Sequence, residues 1–170
     1  MTRRIPVSRQ VLVAVALLVA VAAIAVGGSL ASTENVDGWY SGVDKVPWNP
    51  PNWLFGPVWS VLYLFIATAG FLLWRRAASD GRTWDPVLTV YVVQLALNAA
   101  WTPIFFAGYP IVGEAAWWIA LGVILALIVS VVVLMGFATT RSKTAGWLLA
   151  PYLFWILYAS TLNAGVAALN

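Results

Sequence analysis

The chain has 170 residues, of which 62% are hydrophobic and only 9% charged, where an ordinary soluble domain carries about 25% charged residues. At this length so much apolar surface cannot be hidden from water, which excludes a water-soluble globule and leaves lipid as the solvent. Histidine and cysteine are both absent, which excludes disulfides, thiolate metal sites and histidine-based proton transfer, and the net charge of +3 reflects membrane topology, not a nucleic-acid footprint.

The charges that remain are segregated. No Asp, Glu, Lys or Arg occurs in 10–33, 46–74, 86–113, 115–140 or 144–170, and each window holds the roughly 20 apolar residues that cross a hydrocarbon core as an α-helix. A membrane β-barrel would alternate polar and apolar residues over about 10-residue segments, and the unbroken run Val11–Val26 excludes it. The expected fold is an all-α membrane protein, a single five-helix bundle over 1–170 with helices at about 10–31, 53–75, 86–107, 113–138 and 144–168.

The first helix follows Arg3, Arg4 and Arg9, and its apolar run exceeds the about 7–15 residues of a secretory signal, so an uncleaved span is expected. Residues 32–52 then form a long connection holding Trp39, Tyr40, Trp48, Pro47, Pro50 and Pro51, which is expected to act as a lid at the membrane interface. The second helix carries Phe55, Trp59, Tyr63 and Ile66 at helical spacing. On the third, at 100° per residue, Tyr91, Gln94, Asn98, Trp101 and Phe105 share one face, while Ala96, Ala99, Ala100 and Pro103 share the opposite one. Gln94 and Asn98 are costly against lipid and are expected inside, whereas the small face allows close approach of another helix and hence a homodimer. The fourth helix shows no polar stripe, and the fifth places Tyr152, Trp155, Ala159 and Asn163 along one side. Three helices thus direct aromatic and hydrogen-bonding groups toward one shared pocket.

Trp39, Trp48, Trp53, Trp74, Trp84 and Trp147 lie near predicted membrane boundaries and are read as interfacial anchors; Trp59, Trp101 and Trp155 lie deeper, as pocket walls or as core. Arg3, Arg4, Arg9, Arg75, Arg76, Arg82, Arg141 and Lys143 fall on one side and Lys45 alone on the other, so the N-terminus is expected inside and the C-terminus outside. No carboxylate pair lies within a span, which leaves no general acid–base chemistry of the familiar kind, and Glu114 at a helix start is the nearest ionisable group for proton coupling. What the residues support is a mostly apolar, aromatic pocket for a flat hydrophobic ligand, with no metal and no required cofactor.

The blocks Trp39-Tyr40, Trp48-Asn49-Pro50-Pro51-Asn52-Trp53-Leu54-Phe55-Gly56-Pro57-Val58-Trp59, Ala96-Leu97-Asn98-Ala99-Ala100-Trp101-Thr102-Pro103 and Pro151-Tyr152-Leu153-Phe154-Trp155 closely resemble the tryptophan-rich sensory protein/translocator protein family (TspO/MBR, the peripheral-type benzodiazepine receptor family). The resemblance runs from about residue 10 to the end. It implies a five-helix protein of the bacterial cell membrane, commonly a homodimer, that binds porphyrins such as protoporphyrin IX as ligands; animal members bind cholesterol and synthetic drugs. Added to the helical wheels, it implies a ligand site built from Tyr40, Phe55, Trp59, Tyr63, Gln94, Asn98, Trp101, Trp155 and Ala159. Sensing or receptor activity is the leading expectation. Light-dependent porphyrin breakdown, with Trp59 and Trp155 as the catalytic residues, is an alternative, and transport of porphyrin or another lipophile is a second. The family's sterol-recognition segment at the end of the last helix is missing here, since Asn163 is followed by Ala-Gly-Val-Ala-Ala-Leu-Asn; a formal match, Val36…Tyr40…Lys45, lies in the first loop.

Overall fold

A computed structural model describes residues 4–82 and 85–170. Arg3 of the amino-terminal basic group and Trp84 of the boundary tryptophans lie outside the described residues. Five long helices account for most of the chain: α1 (Val7–Asp37), α3 (Phe55–Ser79), α4 (Pro86–Phe106), α6 (Ala115–Arg141) and α7 (Lys143–Leu169). Two single turns, α2 (Trp39–Gly42) and α5 (Tyr109–Val112), interrupt the connections, and a 3-10 turn over Asn52–Leu54 leads into α3. The described residues contain no strand. All five long helices are apolar and long enough to cross a membrane.

The helices close a ring in the order α1, α3, α7, α6, α4 and back to α1, with only slight contact across the middle. The α6/α7/α4 side is its dense half. On α6 the fully buried Trp117, Ala120, Ile124, Leu127, Val131, Leu134 and Ala138 recur at alternating steps of three and four. On α7 Ala145, Leu149, Tyr152, Ile156, Ala159, Asn163 and Val166 do the same. That 3.5-residue repeat is the knobs-into-holes seam of left-handed helix pairs. It settles the part played by the fourth span, which is core on one side and lipid-facing on the other. The first span is the opposite case: Val21 is the only buried residue of α1.

The inward face read on the third span is the buried face of α4, where Tyr91, Gln94, Asn98, Trp101 and Phe105 are all buried. Ala96 and Ala99 point out of the bundle and are exposed. Gly70 on α3 lets α4 approach: a Cβ there would run into the Tyr91 ring, whose hydroxyl donates to the Ile66 carbonyl at 3.0 Å.

The first connection is shorter than the sequence reading of 32–52. Helix α1 continues to Asp37 because its last, polar turns satisfy themselves: Thr33 Oγ1 donates to the Ser29 carbonyl at 2.7 Å and Asn35 Nδ2 to the Ala31 carbonyl at 2.8 Å. Apolar length marks where a helix leaves the hydrocarbon, not where it ends. Pro57 occupies the first turn of α3, where its missing N–H leaves no gap, so it does not kink the helix; Pro103 and Pro151 lie inside α4 and α7. Among the boundary tryptophans, Trp53 and Trp147 are 72% and 74% exposed, as anchors should be. Trp39 is not one of them. Its indole packs on Tyr109 with centroids 4.3 Å apart and on Trp117 at 5.6 Å, and donates to Asn35 Oδ1 and the Phe106 carbonyl, pinning α2 to α4 and α6.

At the opposite end of the bundle, Asp85 is 2% exposed and caps α4, its carboxylate accepting from the Val87 N–H at 3.2 Å. It also pairs with Arg82 at 2.7 Å and with Arg141, at the end of α6, at 3.2 Å. Burial pushes this carboxyl up, but the Val87 and Arg82 hydrogen bonds and the charges of Arg141 and Arg82 outweigh it and hold it below the ordinary carboxylate range.

Candidate functional site

The loose half of the ring encloses a cavity of about 500 Å³, between α1, α3, α4 and α7 and beneath α2. This is the size of a small-molecule site. Each wall contributes for a local reason. Helix α3 turns Phe55, Trp59 and Tyr63 inward at steps of four, with Gly56 and Ser60 beside them. Helix α4 adds Trp101 and Phe105 from its buried stripe, with Thr102 and Phe106 on the flank. Helix α7 adds Ala159, Leu162 and Asn163, and the small Ala159 leaves the room that a larger side chain would fill. Tyr40 on α2 forms the roof.

The rings are arranged to receive a flat molecule. Trp59 stacks on Tyr63, with centroids 5.3 Å apart and planes at 30°. Trp101 follows 6.4 Å from Trp59, and Phe105 6.3 Å from Trp101, so one continuous aromatic surface crosses two helices. Lining side chains carry no formal charge: the cavity meets its ligand with rings, hydroxyls and amides. Burial pushes the Tyr40 hydroxyl up to about 12, so it stays neutral, donating to Asn49 Oδ1 at 3.3 Å. Lys45 lies above this roof, its Nζ 4.6 Å from the Tyr40 ring centre.

Below the floor runs a directed hydrogen-bond chain. The Tyr63 hydroxyl donates to Asn98 Oδ1 at 3.1 Å, Asn98 Nδ2 donates to the Tyr152 hydroxyl at 2.9 Å, and that hydroxyl donates to Gln94 Oε1 at 3.2 Å. A second pair fixes Trp101, whose Nε1 donates to Asn163 Oδ1 at 3.1 Å while Asn163 Nδ2 donates to the Trp117 carbonyl at 2.9 Å. These bonds orient the rings that face the cavity. They hold the polar side chains at membrane depth inside the bundle, although the buried Nε2 of Gln94 has no hydrogen-bond partner.

Of the nine residues read from the sequence as ligand-binding, Tyr40, Phe55, Trp59, Tyr63, Trp101 and Ala159 line this cavity. Gln94, Asn98 and Trp155 do not. Gln94 and Asn98 sit one layer deeper, behind Tyr63 and Tyr152, and act on the site through Tyr63. Trp155 packs edge-on against Phe55 at 5.7 Å, and its buried Nε1 has no hydrogen-bond partner. The contribution that the sequence reading lacks is the wall from α1: Ala25, Val26, Gly28, Ser29, Ser32 and Val36. A helix that is apolar all round offers no wheel signal; only its run of small residues at 27–29 marks a place where something can come close.

The sequence profile of the TspO/MBR family matches residues 14–169, all five long helices and the roof between the first two. The chain belongs to the TspO/MBR family. It is 38% identical to the tryptophan-rich protein TspO of Archaeoglobus fulgidus over 163 residues, covering 95% of this chain and 99% of that one. It is 34% identical to the translocator protein of Homo sapiens over 132 residues, 74% of this chain and 70% of that one. The tryptophan-rich sensory protein of Cereibacter sphaeroides is 34% identical over 134 residues, 79% of this chain and 78% of that one. With its five apolar helices, this TspO/MBR protein is an integral, multi-pass membrane protein, and relatives such as that of Chlorobaculum tepidum agree with a bacterial membrane. The names of these family members, sensory and translocator protein, point to a sensor or receptor at the membrane.

Proposed function

We propose that this TspO/MBR protein is a membrane receptor for flat, hydrophobic ligands of the porphyrin class, held in the cavity beneath Tyr40. The observation that carries this reading is the uncharged cavity of about 500 Å³ with Trp59, Tyr63, Trp101 and Phe105 joined along two of its walls. Ring-on-ring contact supplies attraction beyond apolar burial, about 0.5–1.5 kcal/mol for each well-placed pair. A chain without histidine or cysteine has none of the usual strong axial ligands for haem iron, so free-base porphyrin should bind at least as well as haem.

Titration of free-base protoporphyrin into the protein in lipid nanodiscs tests this. Tryptophan fluorescence should be quenched saturably, which it should not be if the porphyrin merely partitions into lipid. Trp59→Leu should weaken binding about three- to tenfold. Trp155→Phe should leave the affinity nearly unchanged, because Trp155 packs on Phe55 and does not itself line the cavity. Quenching that never saturates would sink the proposal. Within the alternative, photo-oxidative breakdown of porphyrin, Trp59 is the stronger candidate for contact with the ligand, because it lines the cavity and Trp155 does not.

The receptor reading includes two further proposals, an N-inside, C-outside orientation and a homodimer. The eight basic residues that the order of spans in the sequence puts on one side support the first. The exposed Ala96/Ala99 face of α4 supports the second, because small residues let two helices approach. Ala99→Phe should convert the detergent-solubilised dimer to monomer in light-scattering measurements; a dimer that survives the change would remove this face from the interface.

A further inference from the structure

The cavity is shut from above and open at the side. Above it, residues 43–51 are strapped to α7. Asn170 accepts from the Asp44 N–H at 2.9 Å and donates to the Asp44 carbonyl at 3.1 Å. Trp48 Nε1 donates to Thr161 Oγ1 at 3.2 Å, and the Tyr158 hydroxyl donates to the Trp48 carbonyl at 2.6 Å. Between these ties Val46 sits over Gly165 so closely that a Cβ there would collide with it. Tyr40, under the strap, is held to Asn49. A ligand arriving from water would have to break this set of contacts.

The side is different. Val26 and Ser29 on α1, and Gly56 and Ser60 on α3, line the cavity and are nonetheless exposed. At this level α1 rests on α4 rather than on α3: a Cβ on Gly28 would touch Thr102 at 3.6 Å, whereas one on Gly56 would meet nothing within 4 Å. The cavity lining is therefore uncovered between the two helices at Val26, Ser29, Gly56 and Ser60.

The depth of this gap decides what it faces. Ser60 comes seven residues after the exposed Trp53, and Ser29 five residues before Glu34. At 1.5 Å per residue both lie roughly 8–10 Å below those interfacial groups, within the hydrocarbon half that adjoins the first loop. A helix seam buried by another protein would also favour small residues, but it would not have a cavity directly behind it.

Taking the cavity to be the ligand site, we infer that it is filled sideways from the lipid, through the gap between α1 and α3, and not through the strap. The ligand class is then one that reaches the protein dissolved in the bilayer: a flat, largely apolar molecule that slides in edge-first between Ser29 and Ser60.

The chain has no native cysteine, so two cross-links can be placed cleanly. Ser29→Cys with Ser60→Cys locks the side; Trp48→Cys with Thr161→Cys locks the strap, the linker taking the place of the indole that joins those positions. Each double variant, in nanodiscs, is compared with itself before and after closure by a short cleavable bis-maleimide, using stopped-flow quenching as protoporphyrin is delivered from donor vesicles. Closing the side should slow both association and dissociation at least about tenfold, with recovery on cleavage, while closing the strap changes the rates less than about twofold. Slowing by the strap lock alone, or by neither lock, would overturn lateral entry while leaving the cavity as the site. Absence of saturable quenching in the unmodified protein would instead remove the cavity as a porphyrin site, and lateral entry with it.

Discussion

Replacing Asp85 with alanine should lower the stability of the folded protein by about 3 kcal/mol, the low end of the range for breaking a buried ion pair. The low end applies because both partners, Arg82 and Arg141, are themselves partly exposed and keep some of their hydration. Three interactions are lost together: the cap on the Val87 N–H, the pair with Arg82 and the tie to Arg141. The last joins the start of α4 to the end of α6, so the variant should also loosen that end of the bundle. Asp85→Asn keeps a capping oxygen and removes the charge, and it should fall between wild type and alanine. The pH dependence has a definite sign. The folded carboxyl titrates below the unfolded one, whose value is about 3.9. Its contribution is therefore complete above that value and disappears as pH falls through the folded value. Thermal unfolding in detergent, compared between wild type and Asp85→Asn, should show a gap at neutral pH that narrows once pH falls below about 3.9. A gap independent of pH would mean that the carboxylate charge is not what matters.

Ala159→Phe should abolish porphyrin binding, weakening it more than about 100-fold, or roughly 2.7 kcal/mol, while leaving the fold intact. Ala159 is 1% exposed, lines the cavity and belongs to the buried stripe of α7. Because Ala159 also belongs to that packed stripe, part of the added phenyl ring is overpacked, and the melting temperature should fall by the equivalent of about 1–3 kcal/mol with the fold retained. Leucine at the same place should give an intermediate loss. Equal binding by all three proteins would show that the ligand lies elsewhere.

How far the sequence carries can be seen residue by residue. The five spans follow from charge-free windows, and the α4 face from Tyr91 to Phe105 follows from a wheel, because Gln94 and Asn98 cannot face lipid and so mark the inside. The same two amides, read as ligand-binding, do not line the cavity. A wheel gives direction and not depth, and it cannot distinguish a residue that lines a cavity from one that holds the lining in place. Trp155 fails for a related reason: it was placed on the inward stripe of α7, but it packs on Phe55 from another helix and does not line the cavity. The wall from α1 is invisible because a uniformly apolar helix has no polar residue to orient it. Asp85-Pro86 could have been read as a helix start. Its partner Arg141 could not, since that contact depends on how α6 packs against α4.

The account rests on the claim that the space between α1, α3, α4 and α7 is where a flat hydrophobic ligand sits. An experimental structure of the protein in nanodiscs with free-base protoporphyrin would test it most directly. The account predicts planar density beneath Tyr40, against Trp59, Trp101 and Ala159, with one edge toward the gap between Ser29 and Ser60. Density confined to the lipid-facing surface or to a dimer interface, with the cavity empty, would contradict it.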